Sequence, residues 1–179
     1  MIEKNITFSE EGRGELKKGI DILAKAVAST LGASGRTVII EDQFGTPHIT
    51  KDGVTVANSV VLTDPVQNLG VSILRQASQK TASEAGDGTT TSCVLAKSVI
   101  DRCFENIDNI ENVTQAKEGI EQAAKDVVSI LEKQKKDVTE ASLIEVATIS
   151  ANGDKYLGEM IADAYKKVGK DGVVTMDES

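Results

Sequence analysis

The chain has 179 residues, which is enough for one domain or for one and a half. Only 3% of the residues are aromatic, so the core must be aliphatic, and the net charge of −8 argues against nucleic acid as a partner. No apolar run approaches the ~20 residues of a membrane span, so no membrane partner is expected. Residues 1–6 resemble neither a signal peptide nor an Arg-rich transit peptide, which predicts a cytoplasmic protein.

The N-terminal part predicts an amphipathic helix followed by a β-hairpin. Apolar residues recur at helical spacing from about 12 to 30, and two glycines end the helix in the loop 30–35. A strand is predicted over 37–41, and a return strand begins at His48. Because Val54-Thr55-Val56 is rich in β-branched residues, we expect the chain to stay extended to about residue 57.

Five further helices are predicted, each with a start signal of its own. These signals are Asp64-Pro65, Gly88-Thr89, Thr114, Thr139 and Asp154. A charged run over 132–137 is the best candidate for a domain boundary. The patterns together predict a mainly α protein with one small β-hairpin.

The stretch Ala85-Gly86-Asp87-Gly88-Thr89-Thr90-Thr91-Ser92 is the clearest candidate for a binding site. A glycine-rich turn that opens a helix presents backbone N–H groups and the positive end of the helix dipole to an anion. Asp87 would repel a phosphate unless a hard cation such as Mg²⁺ lay between them. An ordinary turn with a helix cap is the alternative, although a cap uses only one of these hydroxyl side chains.

Three loops share this composition, namely 30–35, 51–53 and 86–91. If they converge, Asp52, Asp87, glycine amides and several hydroxyls form the parts of a magnesium-nucleotide hydrolysis site. One carboxylate would hold the metal, and the other would orient or activate water. Composition alone does not show that the loops converge. The chain contains neither a P-loop motif nor a Gly-x-Gly-x-x-Gly after a strand.

Taken together, these motifs resemble the N-terminal part of group I chaperonins, the sixty-kilodalton ring chaperones of bacteria and organelles. The matching stretches run in family order along essentially the whole chain: Thr30-Leu31-Gly32, Gly35-Arg36, Thr50-Lys51-Asp52-Gly53-Val54, Ala85-Gly86-Asp87-Gly88-Thr89-Thr90-Thr91, Thr148-Ile149-Ser150-Ala151-Asn152 and Val168-Gly169-Lys170-Asp171-Gly172-Val173. The Thr-Ile-Ser-Ala-Asn stretch favours group I over the archaeal and eukaryotic cytosolic relatives.

The resemblance implies a domain arrangement. Residues 1–135 would be the N-terminal half of an equatorial ATP-binding domain, a helical bundle with a small β stem-loop. Residues 136–179 would be the first helices of an intermediate hinge domain. The apical domain and the C-terminal half of the equatorial domain would lie outside these 179 residues.

The resemblance also implies an ATP-dependent protein-folding chaperonin subunit, whose ATPase is complete only with the C-terminal half. Its cofactors would be ATP, Mg²⁺ and K⁺. Asp52 resembles the catalytic carboxylate that positions the attacking water, and Asp87 resembles the Mg²⁺ ligand. The Thr30 and Lys51 carbonyls and the Thr90 hydroxyl would share K⁺. The remaining nucleotide-binding residues would be Leu31, Gly32, Ala33, Gly53, Gly88, Thr89 and Thr91.

The implied partners are other subunits and folding clients. The stem-loop 36–51 would pair with a neighbouring subunit in a homo-oligomeric ring, clients would bind the apical domain, and a co-chaperonin would close the ring. Where the family usually has Pro-Lys, this chain has Ala33-Ser34, which frees φ and removes a positive charge from a phosphate-facing loop. A truncated or split chaperonin piece that assembles without hydrolysing ATP is the alternative.

Overall fold

In the computed structural model, the structure describes residues 6–41, 45–169 and 172–175. The elements in chain order are α1 (Ser9–Ala28), β1 (Val38–Glu41), β2 (Pro47–Thr50), α2 (Gly53–Ser59), α3 (Pro65–Ala85), α4 (Thr89–Glu105), a 3₁₀ turn (Ile107–Asn109), α5 (Val113–Gln134), α6 (Glu140–Ser150) and α7 (Lys155–Val168). The predicted mainly α fold with one small hairpin is therefore confirmed.

The chain divides into two compact units, Met1–Ile107 and Asp108–Ser179. This division reflects contacts within the chain. The boundary predicted near residue 135 concerns domains that residues outside the chain would complete, so it stays a prediction.

The core of the first unit is aliphatic, as the composition predicts. The largest fully buried apolar side chains come from α1, α2, α3 and α4: Leu23, Val27, Val56, Val71, Leu74 and Cys93. Two glycines allow the backbones of α1 and α3 to approach closely. A Cβ at Gly19 would lie 1.9 Å from the Gln67 carbonyl oxygen, and one at Gly70 would lie 2.1 Å from that of Leu16. Side chains at these positions would push the two helices apart.

Four charged residues join α1 to α4 and show the direction of their packing. Lys17 Nζ lies 3.1 Å from Asp101 Oδ1, and Lys97 Nζ lies 3.0 Å from Asp21 Oδ1. Because one turn forward along α1 matches one turn backward along α4, the two helices are antiparallel. The C-terminal end of α1 and the N-terminal end of α4 therefore lie on the same side of the unit.

The β-hairpin is present, but the expectation of an extended segment after it is wrong. Strands β1 and β2 pair antiparallel, with Val38 opposite Thr50 and Glu41 opposite Pro47, while residues 42–44 lie outside the described part. The segment around Val54-Thr55-Val56 is instead helix α2. Asp52 caps this helix, and Val56 is buried in the core. Capping and burial thus outweigh the β-propensity of these residues.

The second unit contains α5, α6 and α7. The predicted caps Thr139 and Asp154 are confirmed, whereas Asn112, and not Thr114, caps α5. Helices α6 and α7 meet at Gly158, where a Cβ would lie 2.3 Å from Thr148 Oγ1. Helix α5 is exposed along almost its whole length.

Candidate nucleotide site at the start of α4

Two glycines in the left-handed conformation shape the turn between α3 and α4. Gly86, with φ of 77°, ends α3, and its N–H is shared by the carbonyls of Thr81 (3.2 Å) and Ala82 (3.1 Å). Gly88, with φ of 83°, begins α4. Residues with a Cβ adopt this conformation at a cost, so the Gly-Asp-Gly sequence has a local structural reason. Between these glycines lies Asp87, whose Oδ1 accepts a 2.6 Å hydrogen bond from the Gly88 N–H.

The first turn of α4 has backbone donors that no side chain caps. Within the described residues, side chains cap α2, α3, α5, α6 and α7, whereas α1 begins after Phe8 and α4 after Gly88 without a side-chain cap. The first N–H groups of a helix have no acceptor inside the helix. Those of α4 belong to Thr89, Thr90 and Thr91, which Gly88 separates from Asp87, and this arrangement suits a phosphate.

The turn 51–53 lies directly against this first turn of α4. Gly53 is buried, and a Cβ on it would lie only 2.0 Å from Thr90 Oγ1. The Thr90 hydroxyl therefore occupies the space that a side chain at position 53 would fill. This contact places Asp52, the residue before Gly53, beside the threonines of α4.

Asp52 accepts hydrogen bonds from the start of its own helix. Its Oδ2 accepts from the Thr55 N–H at 2.8 Å and from the Thr55 hydroxyl at 2.6 Å, and its Oδ1 accepts from the Val54 N–H at 3.4 Å. Thr55 was not among the residues predicted for the site. Recognising Asp52 as a helix cap would have identified it, because a cap side chain accepts from the N–H of the second or third helical residue.

The loop after α1 is compact and folds back on itself. Arg36 N–H donates to the Ser29 carbonyl at 2.7 Å, and a Cβ at Gly35 would lie 2.2 Å from the Thr30 carbonyl oxygen. The Thr30 hydroxyl donates to the Val27 carbonyl at 2.8 Å, so it is engaged with the helix. The residues Leu31, Gly32 and Ala33 are exposed.

The three predicted loops are therefore related in two ways. Gly53 and Thr90 bring the second loop into contact with the third. The antiparallel packing of α1 and α4 puts the first loop, which follows α1, on the same side of the unit as the start of α4. Lys51, which precedes Asp52, is exposed. The individual roles of these residues stay predictions.

Neither of two clefts in the second unit contains a predicted site residue. One cleft has a volume of about 600 Å³ and lies beside α7, where Met160, Ala164 and Val173 line it. The other, of about 490 Å³, includes Thr139, Leu143 and Tyr165. Both are more apolar than polar, and neither has the convergent amides and hydroxyls that the α4 turn offers.

Curated relatives cover nearly the whole chain. It is 48% identical over 176 residues to the mitochondrial heat shock protein 60 of Ajellomyces capsulatus, and 46% identical over 179 residues to that of Candida albicans. These alignments cover 98% and 99% of this chain but only 30% and 32% of the relatives. The chain thus spans about a third of the length of the relatives it matches.

Solved structures support the same fold. The chaperonin gp146 from the bacteriophage EL 2 (Pseudomonas aeruginosa), solved in the presence of ATP-BeFx, matches with a TM-score of 0.75 at 29% identity, covering 88% of this chain and 28% of that one. A group III chaperonin in the open state matches with a TM-score of 0.71 at 24% identity, covering 88% of this chain and 32% of that one.

The relatives contradict the expected cytoplasmic location. Both named heat shock proteins are mitochondrial, which points to the mitochondrion and away from the cytoplasm. No helix in the described part of the chain is both long and apolar enough to cross a membrane.

The TCP-1/cpn60 chaperonin family matches residues 23–178, which is most of the chain. The mitochondrial heat shock proteins that it resembles are group I chaperonins, in agreement with the resemblance carried by the motifs. The chain therefore belongs to the TCP-1/cpn60 chaperonin family, in its group I branch.

Proposed function

We propose that this chain is the nucleotide-binding part of an ATP-dependent protein-folding chaperonin subunit. It binds MgATP at the start of α4, and hydrolysis drives conformational changes of a ring. The observation that carries this proposal is the contact between Gly53 and Thr90, which joins two motif loops beside a helix N-terminus that no side chain caps. The related phage chaperonin solved with ATP-BeFx supports a nucleotide as the ligand.

The residues of the α4 turn suit a phosphate chain accompanied by Mg²⁺. Nucleotide sites hold Mg²⁺ with one or two carboxylates, phosphate oxygens and waters, so a single protein carboxylate suffices. Asp87 supplies the carboxylate, and Gly88 to Thr91 supply amides and hydroxyls to the phosphates. The metal, when bound, neutralises charge on the phosphate oxygens.

The other two loops complete the proposed site. Asp52 accepts a hydrogen bond from the attacking water and so orients it toward the terminal phosphate. The carbonyls of Thr30 and Lys51 and the hydroxyl of Thr90 hold K⁺. Leu31, Gly32, Ala33 and Gly53 face the nucleotide.

The proposed partners follow from exposed surface and from the family. Ile39 and Ile49 are opposite each other on the hairpin and are 69% and 65% exposed. Two short strands whose outer edges pair with no other described strand, and which expose apolar residues, suit pairing with a neighbouring subunit. We infer a homo-oligomeric ring, clients and a co-chaperonin bound through residues outside this chain, and a mitochondrial location like that of the relatives.

Steady-state phosphate release by the assembled full-length protein tests the proposal. Asp87→Ala should reduce the rate roughly 100-fold or more, because it removes charge stabilisation at the transferred phosphate. Glu84→Ala is the matched control, since this exposed carboxylate is three residues away on α3 and should leave the rate unchanged. Equal rates for wild type and Asp87→Ala would refute the metal role. No phosphate release by the wild type would favour a non-hydrolysing assembly module, which no present observation favours.

A further inference from the structure

The two oxygens of the Asp52 carboxylate are bonded very differently. Thr55 donates twice to Oδ2, from its N–H at 2.8 Å and from its hydroxyl at 2.6 Å. Among the described residues, Oδ1 receives only the Val54 N–H, at a long 3.4 Å. A carboxylate oxygen has two lone-pair sites, so Oδ2 is filled by one residue while Oδ1 keeps capacity for another donor.

The Thr55 hydroxyl is not needed to cap a helix. Asp64 caps α3 through the N–H groups of Val66 and Gln67, at 2.9 and 2.8 Å. Asp154 caps α7 through the Leu157 N–H at 3.1 Å. Neither receives a side-chain hydroxyl from the residue three positions on, because those residues are Gln67 and Leu157. Among the aspartate caps of the described helices, Asp52 alone has this additional bond.

Asp52 and Thr55 lie close to the first turn of α4. Asp52 is followed by Gly53, whose backbone contacts the Thr90 hydroxyl at the start of α4. The Thr50 hydroxyl also accepts from the Asp52 N–H at 3.0 Å, which holds the backbone of Asp52 from the other side. The carboxylate is therefore restrained by its neighbours on the chain, next to the proposed phosphate cradle.

We propose that Thr55 is a positioning residue for hydrolysis: it holds Oδ2 of Asp52 so that Oδ1 is the oxygen that receives the attacking water. This inference rests on the proposed function. The water oxygen forms a bond to the terminal phosphorus, and the bond from that phosphorus to the bridging oxygen breaks, with its electron pair kept by the departing nucleoside diphosphate. The water proton that is hydrogen-bonded to Oδ1 transfers to Oδ1 and from there to the released phosphate. A carboxylate free to rotate would lose this alignment, and small misplacements of a reacting group are costly.

Two substitutions at position 55 separate the hydroxyl from the rest of the side chain. Thr55→Val keeps the shape and the backbone N–H but removes the hydroxyl, whereas Thr55→Ser restores it. In the assembled full-length protein, we expect Thr55→Val to lower kcat for phosphate release roughly 10- to 100-fold. The Kd for a non-hydrolysable ATP analogue should stay within about twofold, and Thr55→Ser should recover most of the rate.

Two further variants serve as controls: one changes a comparable helix cap, and the other combines the Thr55 and Asp52 substitutions. Ser142→Ala removes a hydroxyl at the same position of the capped helix α6, where it bonds to Thr139, and should not change kcat. If Thr55 acts through Asp52, Thr55→Val should have little further effect on kcat once Asp52→Ala is present, because the two residues act as one unit.

The outcomes are distinguishable. A normal kcat for Thr55→Val, with wild-type hydrolysis intact, overturns the positioning role alone. A parallel fall of kcat, analogue affinity and Tm also overturns it, because the hydroxyl then only stabilises α2. Additive losses in the Asp52→Ala background contradict action through Asp52. A wild type that binds the analogue without releasing phosphate refutes hydrolysis itself, and with it this inference.

Discussion

Gly53 lies where α2 meets the first turn of α4, and it has no Cβ at a point where Thr90 leaves no room for one. An added Cβ would lie 2.0 Å from Thr90 Oγ1 and 3.1 Å from Thr90 Cβ. The hydroxyl could rotate away, but the Cβ contact would remain tighter than normal packing. The glycine thus controls both the approach of the two loops and the direction of a hydroxyl in the proposed site.

Replacing Gly53 by Ala should therefore impair binding more than stability. We expect Gly53→Ala to lower the free energy of unfolding by about 1 kcal/mol, the low end of the overpacking range, and to weaken ATP binding because the Thr90 hydroxyl turns away. Gly14→Ala is the control, since Gly14 lies within α1 with nothing within 4 Å of an added Cβ. That change should stabilise the helix by about 0.5–1 kcal/mol. Calorimetry measures the stability of each variant, and titration with ATP measures its affinity. An unchanged ATP affinity in Gly53→Ala would contradict the role given to Thr90.

At the scale of elements, α1 and α4 are joined by a network of ion pairs among Lys17, Asp21, Lys97 and Asp101. The Lys97 hydrogen bond holds the pKa of Asp101 below its ordinary value, and the bond to Asp21 raises the pKa of Lys17. Burial opposes the ionisation of Asp21 and Lys97, but their bonds outweigh it, so the pKa of Asp21 is lowered and that of Lys97 is raised. The contact of Asp101 Oδ1 with Lys17 is an ion pair without well-directed hydrogen-bond geometry.

The stabilisation by this network should depend on pH at both ends of the range. The carboxylate contribution is present above their unfolded pKa of about 4 and is lost as the pH falls through their lowered folded values. The lysine contribution is present below about 10.4 and is lost as the pH rises through the raised folded values. We expect Lys97→Gln to lower Tm near neutral pH and to approach the wild type at both extremes.

The size of this effect is limited by solvent. The four side chains are 21–44% exposed, so each pair should contribute less than about 1 kcal/mol, and added salt should reduce it. Melts over pH and NaCl concentration measure the difference between the two proteins. A constant Tm difference between them at all pH values would show that Lys97 acts through packing alone.

At the scale of the whole molecule, much apolar surface remains exposed. Large apolar side chains on α3, α4 and α5 are 42–61% exposed: Leu69, Ile73, Leu95, Ile120 and Leu131. Helix α5 exposes apolar residues along its length. Apolar surface that stays in contact with water adds no hydrophobic stabilisation to the described helices.

The isolated 179-residue chain should therefore be marginally stable. Full burial of one such side chain is worth about 1.5–3 kcal/mol, and a domain has only about 5–15 kcal/mol in total. We expect a broad transition in a circular-dichroism melt of the isolated chain, and a sharp one at higher temperature for the full-length protein. A sharp cooperative transition of the isolated chain would contradict this expectation.

Local chemistry made much of the chain predictable. Asp64-Pro65, Thr139 and Asp154 begin their helices as expected, because caps and apolar periodicity act over a few residues. The ordered motifs around Asp52 and Asp87 also identified the family, since their order and spacing are read directly from the chain.

Long-range packing decided the rest. Val54-Thr55-Val56 carries a β-strand pattern, yet it is helical because Asp52 caps it and Val56 is buried against other helices. Thr55 was missed as a partner of Asp52 because the segment was expected to be extended, and its hydroxyl reaches the carboxylate only in the helical turn. The sequence by itself determined the family and the elements other than α2, because short-range signals encode them. Only the tertiary structure brought Gly53 against Thr90, because that contact joins residues far apart in the chain.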